Sequence, residues 1–363
     1  MKWLFLLSAK SWGGNEHWTR LAAHALRDAG HEVRIACRRE DIAARFDCPT
    51  LLLPFRHEAD LSTIAGLHRA VRAHGIDVLL PTKRKDYVLA GWVAKATGIP
   101  NLLRLGIVRP LGEGLVNRFV YGTMADGIIV NAEAIAATLR ASSFIRPDRV
   151  RVIYNGVDAA AVRERAAAQP VERPHRFLVS GSGMLIRRKG FDRIIRAIAQ
   201  VHAARPDGDV GLRIVGEGAE RGALKALARE LGIADRVHLA GHRDNPHPLI
   251  AASDLFVMAS DNEGISNALL EAMALGVPVI STRSGGAAEA IENGRSGILV
   301  DDDAPETLAA AIDALLGNPE RREALAAAAR NRIAERFSLD AMRAGLETFA
   351  AERVIVKEKA RAS

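Results

Sequence analysis

Ser260-Asp-Asn-Glu-Gly-Ile-Ser-Asn-Ala-Leu-Leu-Glu-Ala-Met-Ala-Leu-Gly-Val-Pro-Val-Ile-Ser-Thr282 is the stretch from which the fold of this chain is read. An apolar run, Leu255–Ala259, leads into it. A turn at Gly264, a short amphipathic helix and a second apolar run ending at Thr282 follow. Strand, turn, helix, strand is the repeating unit of a parallel sheet, because parallel neighbours need a crossover and the crossover is usually a helix. Glu263 and Glu271 stand eight positions apart across the loop-to-helix junction. Open α/β sheets hold ligands on the turns that follow parallel strands. A helix start there adds N–H groups that can face an anion.

Outward from this stretch the same alternation covers the chain. In the N-terminal half, Trp3–Ser8, Val33–Cys37, Leu51–Pro54, Val78–Thr82, Asn101–Leu105, Gly127–Asn131 and Arg149–Tyr154 read as strands. Helices fall between them at Glu16–Ala29, Leu61–Ala73, before Gly98 and up to Leu139. After Asn155-Gly-Val-Asp158, an Ala/Arg/Glu/Pro stretch to Pro174 reads as a connection. The pattern restarts with strands at Phe177–Ser180, Val210–Val215, Val237–Ala240, Leu255–Ala259 and Gly297–Val300, a helix after Lys189, another at Glu217–Leu231, and helices through Phe337. The expected fold is α/β, with two doubly wound parallel-sheet Rossmann-like domains facing each other across a cleft. Residues 1–158 form the first, 159–174 a linker and 175–337 the second; 338–363 supply an amphipathic segment, Leu339–Ala351, and a charged tail that pack back on the first. Neither half has G-x-G-x-x-G after a strand, which weakens a dehydrogenase reading.

Size and charge agree. A chain of 363 residues exceeds one ordinary core. Residues 1–158 carry 22 Lys+Arg against 15 Asp+Glu, whereas 159–363 carry 28 of each, so the net +7 sits in the first half. That excess fits either a solvated basic face or an acidic partner such as a phosphorylated substrate, an anionic membrane or nucleic acid. No nucleic-acid motif accompanies it. Two cysteines, Cys37 and Cys48, argue against a disulfide framework and fit a reducing cytosol. Met1–Leu7 is too short in its apolar part for a signal peptide and reads as a first strand, and no apolar run approaches the ~20 residues of a membrane span. A cytoplasmic protein, touching the membrane from its inner face, is expected.

The second half resembles the retaining glycosyltransferases of the two-Rossmann (GT-B) type, family four. The residues that carry the likeness are Glu263-Gly-Ile-Ser-Asn-Ala-Leu-Leu-Glu271 with Ala272–Ile280, Arg188-Lys-Gly-Phe191, Ile214-Val-Gly-Glu-Gly218, and Gly285-Gly286 with Gly297–Val300. In the first half only Gly13-Gly14 and Tyr154–Asp158 match. The resemblance implies transfer of a hexose-like sugar from a UDP- or GDP-sugar with retained anomeric configuration, and no metal or other cofactor. It makes Glu263, Arg188 and Lys189 the catalytic group, with Glu263 contacting the donor sugar and the two cations facing the diphosphate. Donor-binding positions are Gly14, Gly183, Gly216, Arg243, the N–H groups near Ile265, Ser266 and Asn267, and Glu271 on the ribose. Gly13 and, from its place at a strand's C-terminal end rather than from the resemblance, Arg104 are expected on the acceptor side. Preorganised cations and N–H groups are effective stabilisers of a departing diphosphate, so the chemistry of these residue types agrees. Asp207-Gly-Asp209 and Asp301-Asp-Asp303 have a metal-binding spacing, but turn formation and capping explain them better.

Two positions depart from the family pattern. Met184 stands where an arginine is common, with Arg187 and Arg188 as replacements, and Leu103-Arg-Leu-Gly106 stands where a histidine is common. Lys83-Arg-Lys85, Arg104, Arg109 and Arg118 point to a phosphorylated or lipid-linked acceptor, as in bacterial lipopolysaccharide or surface-polysaccharide assembly. Two other readings stand beside transfer: a nucleotide-sugar epimerase on the same plan, and a non-catalytic subunit of the same fold.

Overall fold

The computed structural model describes residues 1–107, 110–261 and 263–362. It divides into two compact units, Met1–Gly156 with Leu339–Ser363, and Val157–Ser338.

The first unit contains β1 (Lys2–Leu7), β2 (Glu32–Cys37), β3 (Thr50–Leu52), β4 (Val78–Pro81), β5 (Leu102–Leu105), β6 (Gly127–Val130) and β7 (Val150–Val152). The first four run in parallel in the order β3-β2-β1-β4, and β5-β6-β7 continue the parallel arrangement. A parallel bridge between Leu79 and Asn101 joins the two sets. β1 shows why Met1–Leu7 is a strand. Trp3, Phe5 and Leu7 pack on one face with Trp18 and Leu26, and Leu4 and Leu6 on the other with Leu79, Leu89 and Val93. A strand covered on both faces reads as a continuous apolar run.

The second unit contains β8 (Phe177–Ser182), β9 (Val210–Val215), β10 (Val237–Gly241), β11 (Leu255–Met258), β12 (Val279–Thr282) and β13 (Ile298–Val300). Their order, β10-β9-β8-β11-β12-β13, is all parallel. Counted within the unit this is 3-2-1-4-5-6, the dinucleotide-fold order, whose direction reverses between β8 and β11. Its long helix Phe191–Ala204 buries Ile194, Ile195, Ile198 and Val201, the three-to-four spacing of one helical face.

The structure corrects three expectations. Residues 159–174 are not all linker: Ala159–Ala167 is a helix whose start is capped by the Asp158 side chain on Ala161 N–H (2.9 Å), and it packs on His247–Ala251 and Asn267–Leu275. The boundary consequently falls before Val157. Helix Glu217–Leu231 starts only at Arg221, because Glu217 and Glu220 are tied to Leu185 in the loop after β8. The charged C-terminal tail continues the helix Leu339–Ala362. Ion pairs Lys357–Asp126 (2.8 Å) and Arg151–Glu352 (2.7 Å) and the contact of Arg361 with the Thr97 carbonyl hold it to the first unit.

Asp86, on the first turn of helix Arg84–Thr97, is fully buried and accepts the Ser8 N–H (3.0 Å). Burial raises its pKa to about 6, against the usual 3.8. The folded state therefore holds a proton that the unfolded chain has released between those values, and stability falls as pH rises through this window. Asp86→Asn keeps the shape and removes the buried charge. In urea unfolding it is expected to exceed the wild type by up to about 3 kcal/mol above pH 7, with the advantage gone below pH 4; an advantage independent of pH would contradict the assignment.

Candidate active site

The reversal of strand order places the loops after β8 and β11 side by side, and the residues expected to act on the donor come from these two loops. After β8, Arg187–Lys189 form one tight turn leading into the helix at Phe191. After β11 come Glu263 and then helix Asn267–Leu275. Glu263 is buried, with its Oε1 2.5 Å from an Arg188 guanidinium nitrogen and 2.6 Å from Lys189 Nζ. A buried carboxylate requires such compensation. The loops are also tied along their backbones, Asp261 N–H donating to the Arg188 carbonyl (2.9 Å). Arg193 braces them from below: it pairs with Asp261 and with Asp303 (2.8 Å), and donates to the Ala259 carbonyl (2.9 Å).

Ser266 is the N-cap of helix Asn267–Leu275 in extended conformation, and its side chain makes no capping bond. Ile265 and Ser266 are buried beneath this helix start. Glu271, one turn on, is buried, with Oε2 3.4 Å from His247 Nε2.

Glycines shape the floor. Gly183 N–H donates to Val215 (3.0 Å) and Gly216 N–H to Gly241 (2.9 Å), lacing the ends of β8, β9 and β10. Gly216 has φ +152, and a Cβ there would collide with the Gly183 carbonyl. Gly285, with φ +55, lies so close behind Glu263 that a Cβ would strike the Glu263 carbonyl. Arg243 is exposed in the loop after β10, two residues beyond Gly241. Met184 is half exposed, and of its proposed replacements Arg188 meets Glu263 whereas Arg187 is solvent-facing.

The second unit thus brings together Arg188, Lys189 and Glu263, with Gly183, Gly216, Ile265, Ser266, Asn267, Glu271 and Arg243 around the same strand ends. Gly13, Gly14 and Arg104 belong to the first unit. Gly13 caps helix Gly14–Asp28, and a Cβ on Gly14 would meet nothing within 4 Å, so this helix start is open. Arg104, expected on the acceptor side at the end of β5, does not face solvent. It is buried, stacks on Trp18 (4.2 Å to the ring centroid) and donates to Asn15 and to Asn155 (3.2 Å). Burial lowers its pKa to about 10. Nor do the other basic residues form one patch: Lys83 pairs with buried Glu16 (2.9 Å), Lys85 bonds the Phe55 carbonyl (2.7 Å), and Arg118 pairs with Glu113 (3.0 Å). Arg109 lies outside the described residues.

The Asp-x-Asp stretches are engaged locally. Asp209 meets His175 (2.6 Å), Asp301 pairs with Arg283, and Asp302 bonds the Ala304 N–H (3.1 Å). Among the described residues no cluster of three or more His, Cys, Asp or Glu is placed to hold a metal ion.

Two family matches divide the chain much as the units do: residues 12–161 match "Glycosyltransferase Family 4" and residues 162–332 match "Glycosyl transferases group 1". The lipopolysaccharide core biosynthesis glycosyltransferase LpsE of Rhizobium meliloti is 32% identical over 274 residues, 73% of this chain and 78% of that protein. A glycosyltransferase from Rickettsia africae superposes with a TM-score of 0.83 at 19% identity, covering 97% of this chain and 99% of its own. Anabaena HepE, solved in complex with UDP, gives 0.82 at 21% identity, covering 97% and 100%. The chain belongs to the glycosyltransferases of GT-B fold, related to these two families. It is an enzyme that moves a sugar from a nucleotide-sugar donor to an acceptor.

Gly285→Ala tests the placement of Glu263 without altering a charged group. Displacement of a reacting-site group by about 1 Å costs roughly 100-fold in rate, and a loss of this order in kcat/KM is expected with the fold retained by circular dichroism. Wild-type kinetics in a folded Gly285→Ala protein would contradict the placement.

Proposed function

We propose that the protein is a retaining, metal-independent glycosyltransferase that uses a UDP- or GDP-sugar and glycosylates a bacterial surface glycan or its lipid-linked precursor. The observation that carries the reading is the buried Glu263 carboxylate held between Arg188 and Lys189 at the reversal of strand order. Two cations on one side of a helix N-terminus match a diphosphate, whose negative charge grows as it leaves. Arg188 and Lys189 would take the diphosphate, with Arg187 alongside in place of the arginine missing at Met184. Glu263 orients the sugar, and Glu271 takes the ribose hydroxyls.

In this reading the acceptor hydroxyl attacks the anomeric carbon from the face on which the diphosphate leaves. The new C–O bond forms as the sugar–phosphate bond breaks, and the hydroxyl proton passes to a phosphate oxygen. Glu263, already neutralised by two cations, has an orienting role rather than a nucleophilic one. The first unit, which carries Gly13 and the Glu16–Lys83 and Arg104 network, would recognise the acceptor. LpsE, named for lipopolysaccharide core biosynthesis, supports a surface-glycan acceptor, and the structure of HepE with UDP and glucose supports a UDP-sugar.

The site of action would be the cytoplasm, at the inner face of the membrane. No helix among the described residues is long and apolar enough to cross a membrane. Trp92, Leu115, Val116 and Phe119 are exposed on the first unit, and the Trp92 and Phe119 rings lie 5.8 Å apart. Apolar tips in a basic domain fit peripheral contact with anionic lipid.

The deciding experiment is the anomeric configuration of the product, read by the one-bond C–H coupling of the new linkage, with EDTA present. Retention is expected; inversion, or loss of activity with EDTA, would contradict the mechanism. Release of an epimerised nucleotide-sugar without an acceptor would favour an epimerase instead. Co-sedimentation with anionic vesicles at low salt, reversed by added salt, is expected if lipid contact is electrostatic; no binding at low salt would remove that part of the reading.

A further inference from the structure

Glu271 is held from outside its own helix. His247, on the short helix His247–Ala251, is buried where that helix meets Asn267–Leu275. Its two ring nitrogens face different partners. Asn245 Nδ2 donates to the Arg165 carbonyl (2.9 Å), so the Asn245 oxygen faces His247 Nδ1 at 2.8 Å. The imidazole therefore carries a proton on Nδ1. The other nitrogen, Nε2, is shielded from solvent, makes no hydrogen bond, and lies 3.4 Å from Glu271 Oε2.

A buried polar atom without a partner is costly and uncommon. The 3.4 Å separation also exceeds the ~2.7–2.9 Å of a charge-assisted bond. The imidazole and the carboxylate are thus apposed without a completed bond, in a wall anchored through Asn245 to main chain. An apolar leucine could have filled the space between the two helices. A histidine fixed at one nitrogen and aimed at a carboxylate with the other restricts the rotation of that carboxylate by donating an Nε2 proton to it, as the imidazolium, in which both ring nitrogens are donors, can do.

We propose that His247 is a positioning residue for the donor's ribose, setting the orientation of Glu271 so that the carboxylate meets the vicinal hydroxyls. The proposal rests on the ribose role given to Glu271 above. Its consequence is selectivity: His247 governs preference for ribonucleotides over 2′-deoxyribonucleotides. A residue that merely packed between the helices would alter stability and shift both classes alike.

The test is calorimetric titration of the full chain with UDP, GDP and their 2′-deoxy counterparts, for the wild type and for Glu271→Ala, His247→Leu, His247→Gln and Asn245→Ala. Glu271→Ala is expected to abolish the preference for ribose. His247→Leu is expected to weaken ribonucleotide binding about tenfold, by analogy with the low end of the loss when a partner that orients a metal-ligating side chain is removed, while leaving deoxynucleotide binding unchanged. His247→Gln, whose amide reaches the position of Nε2, is expected to restore most of the preference. Asn245→Ala, which releases the imidazole without opening the helix contact, is expected to reduce it. The preference surviving in Asn245→Ala and His247→Leu while lost in Glu271→Ala would overturn the role of His247 alone. An equal loss for both nucleotide classes in the His247 variants would overturn it as well. A preference that also survives Glu271→Ala would overturn the ribose assignment itself.

Discussion

A carboxylate buried between two cations is the interaction around which the second unit is organised. Glu263 could not be withdrawn from water on its own. Its compensating charges, Arg188 and Lys189, arrive from a loop some 75 residues earlier in the chain. The two loops meet only because β8 and β11 are hydrogen-bonded neighbours although two strands separate them in sequence. The strand order therefore determines the chemistry: reversing direction between β8 and β11 opens the crevice, and the residues ending those strands line it. Gly285 and the Gly183–Gly216–Gly241 lacing keep backbone close enough for this arrangement to persist.

The first unit follows a similar principle with different residues. Around the ends of β1, β4 and β5, a buried polar network joins Glu16 to Lys83, Asp86 to Ser8, and Arg104 to Asn15 and Asn155. Lys83 and Arg104 are thus engaged within the fold, whereas Asp86 Oδ1 is left without a hydrogen-bond partner. Networks of this kind are stabilising only while every member remains paired. Arg104 contributes by rigidifying the strand ends, and the Tyr87 hydroxyl, bonded to its carbonyl at 2.6 Å, adds to that rigidity.

Much of this was legible in the sequence, for a physical reason. Strands buried on both faces cannot hide: β1, β4, β9 and β11 are nearly unbroken apolar runs. The helix starts and glycines of the second unit are equally visible, since their spacing is set by one local strand–turn–helix geometry. What was not legible depends on long-range partners. The helix Ala159–Ala167 has little amphipathic signal, with Val162 its one buried residue, and is fixed by packing on helices about 90 to 110 residues downstream. The last turns of Leu339–Ala362 read as a charged tail after a shorter helix because the ion-pair partners that hold them, Asp126 among them, lie far back in the first half. The burial of Arg104 was not legible because nothing nearby in sequence announces Trp18, Asn15 and Asn155 as its surroundings. His247 carried no signal at all, since its meaning arises only from its approach to Glu271.

The central claim is that a nucleoside diphosphate sits where the loops after β8 and β11 meet. Hydrogen-exchange mass spectrometry of the full chain with and without saturating UDP or GDP tests it most directly, because protection reports the segments a ligand orders. Slower exchange is predicted in peptides covering Gly183–Gly190 and Glu263–Glu271. Nucleotide-dependent protection confined to other segments, or none in these two at saturating nucleotide, would contradict the account.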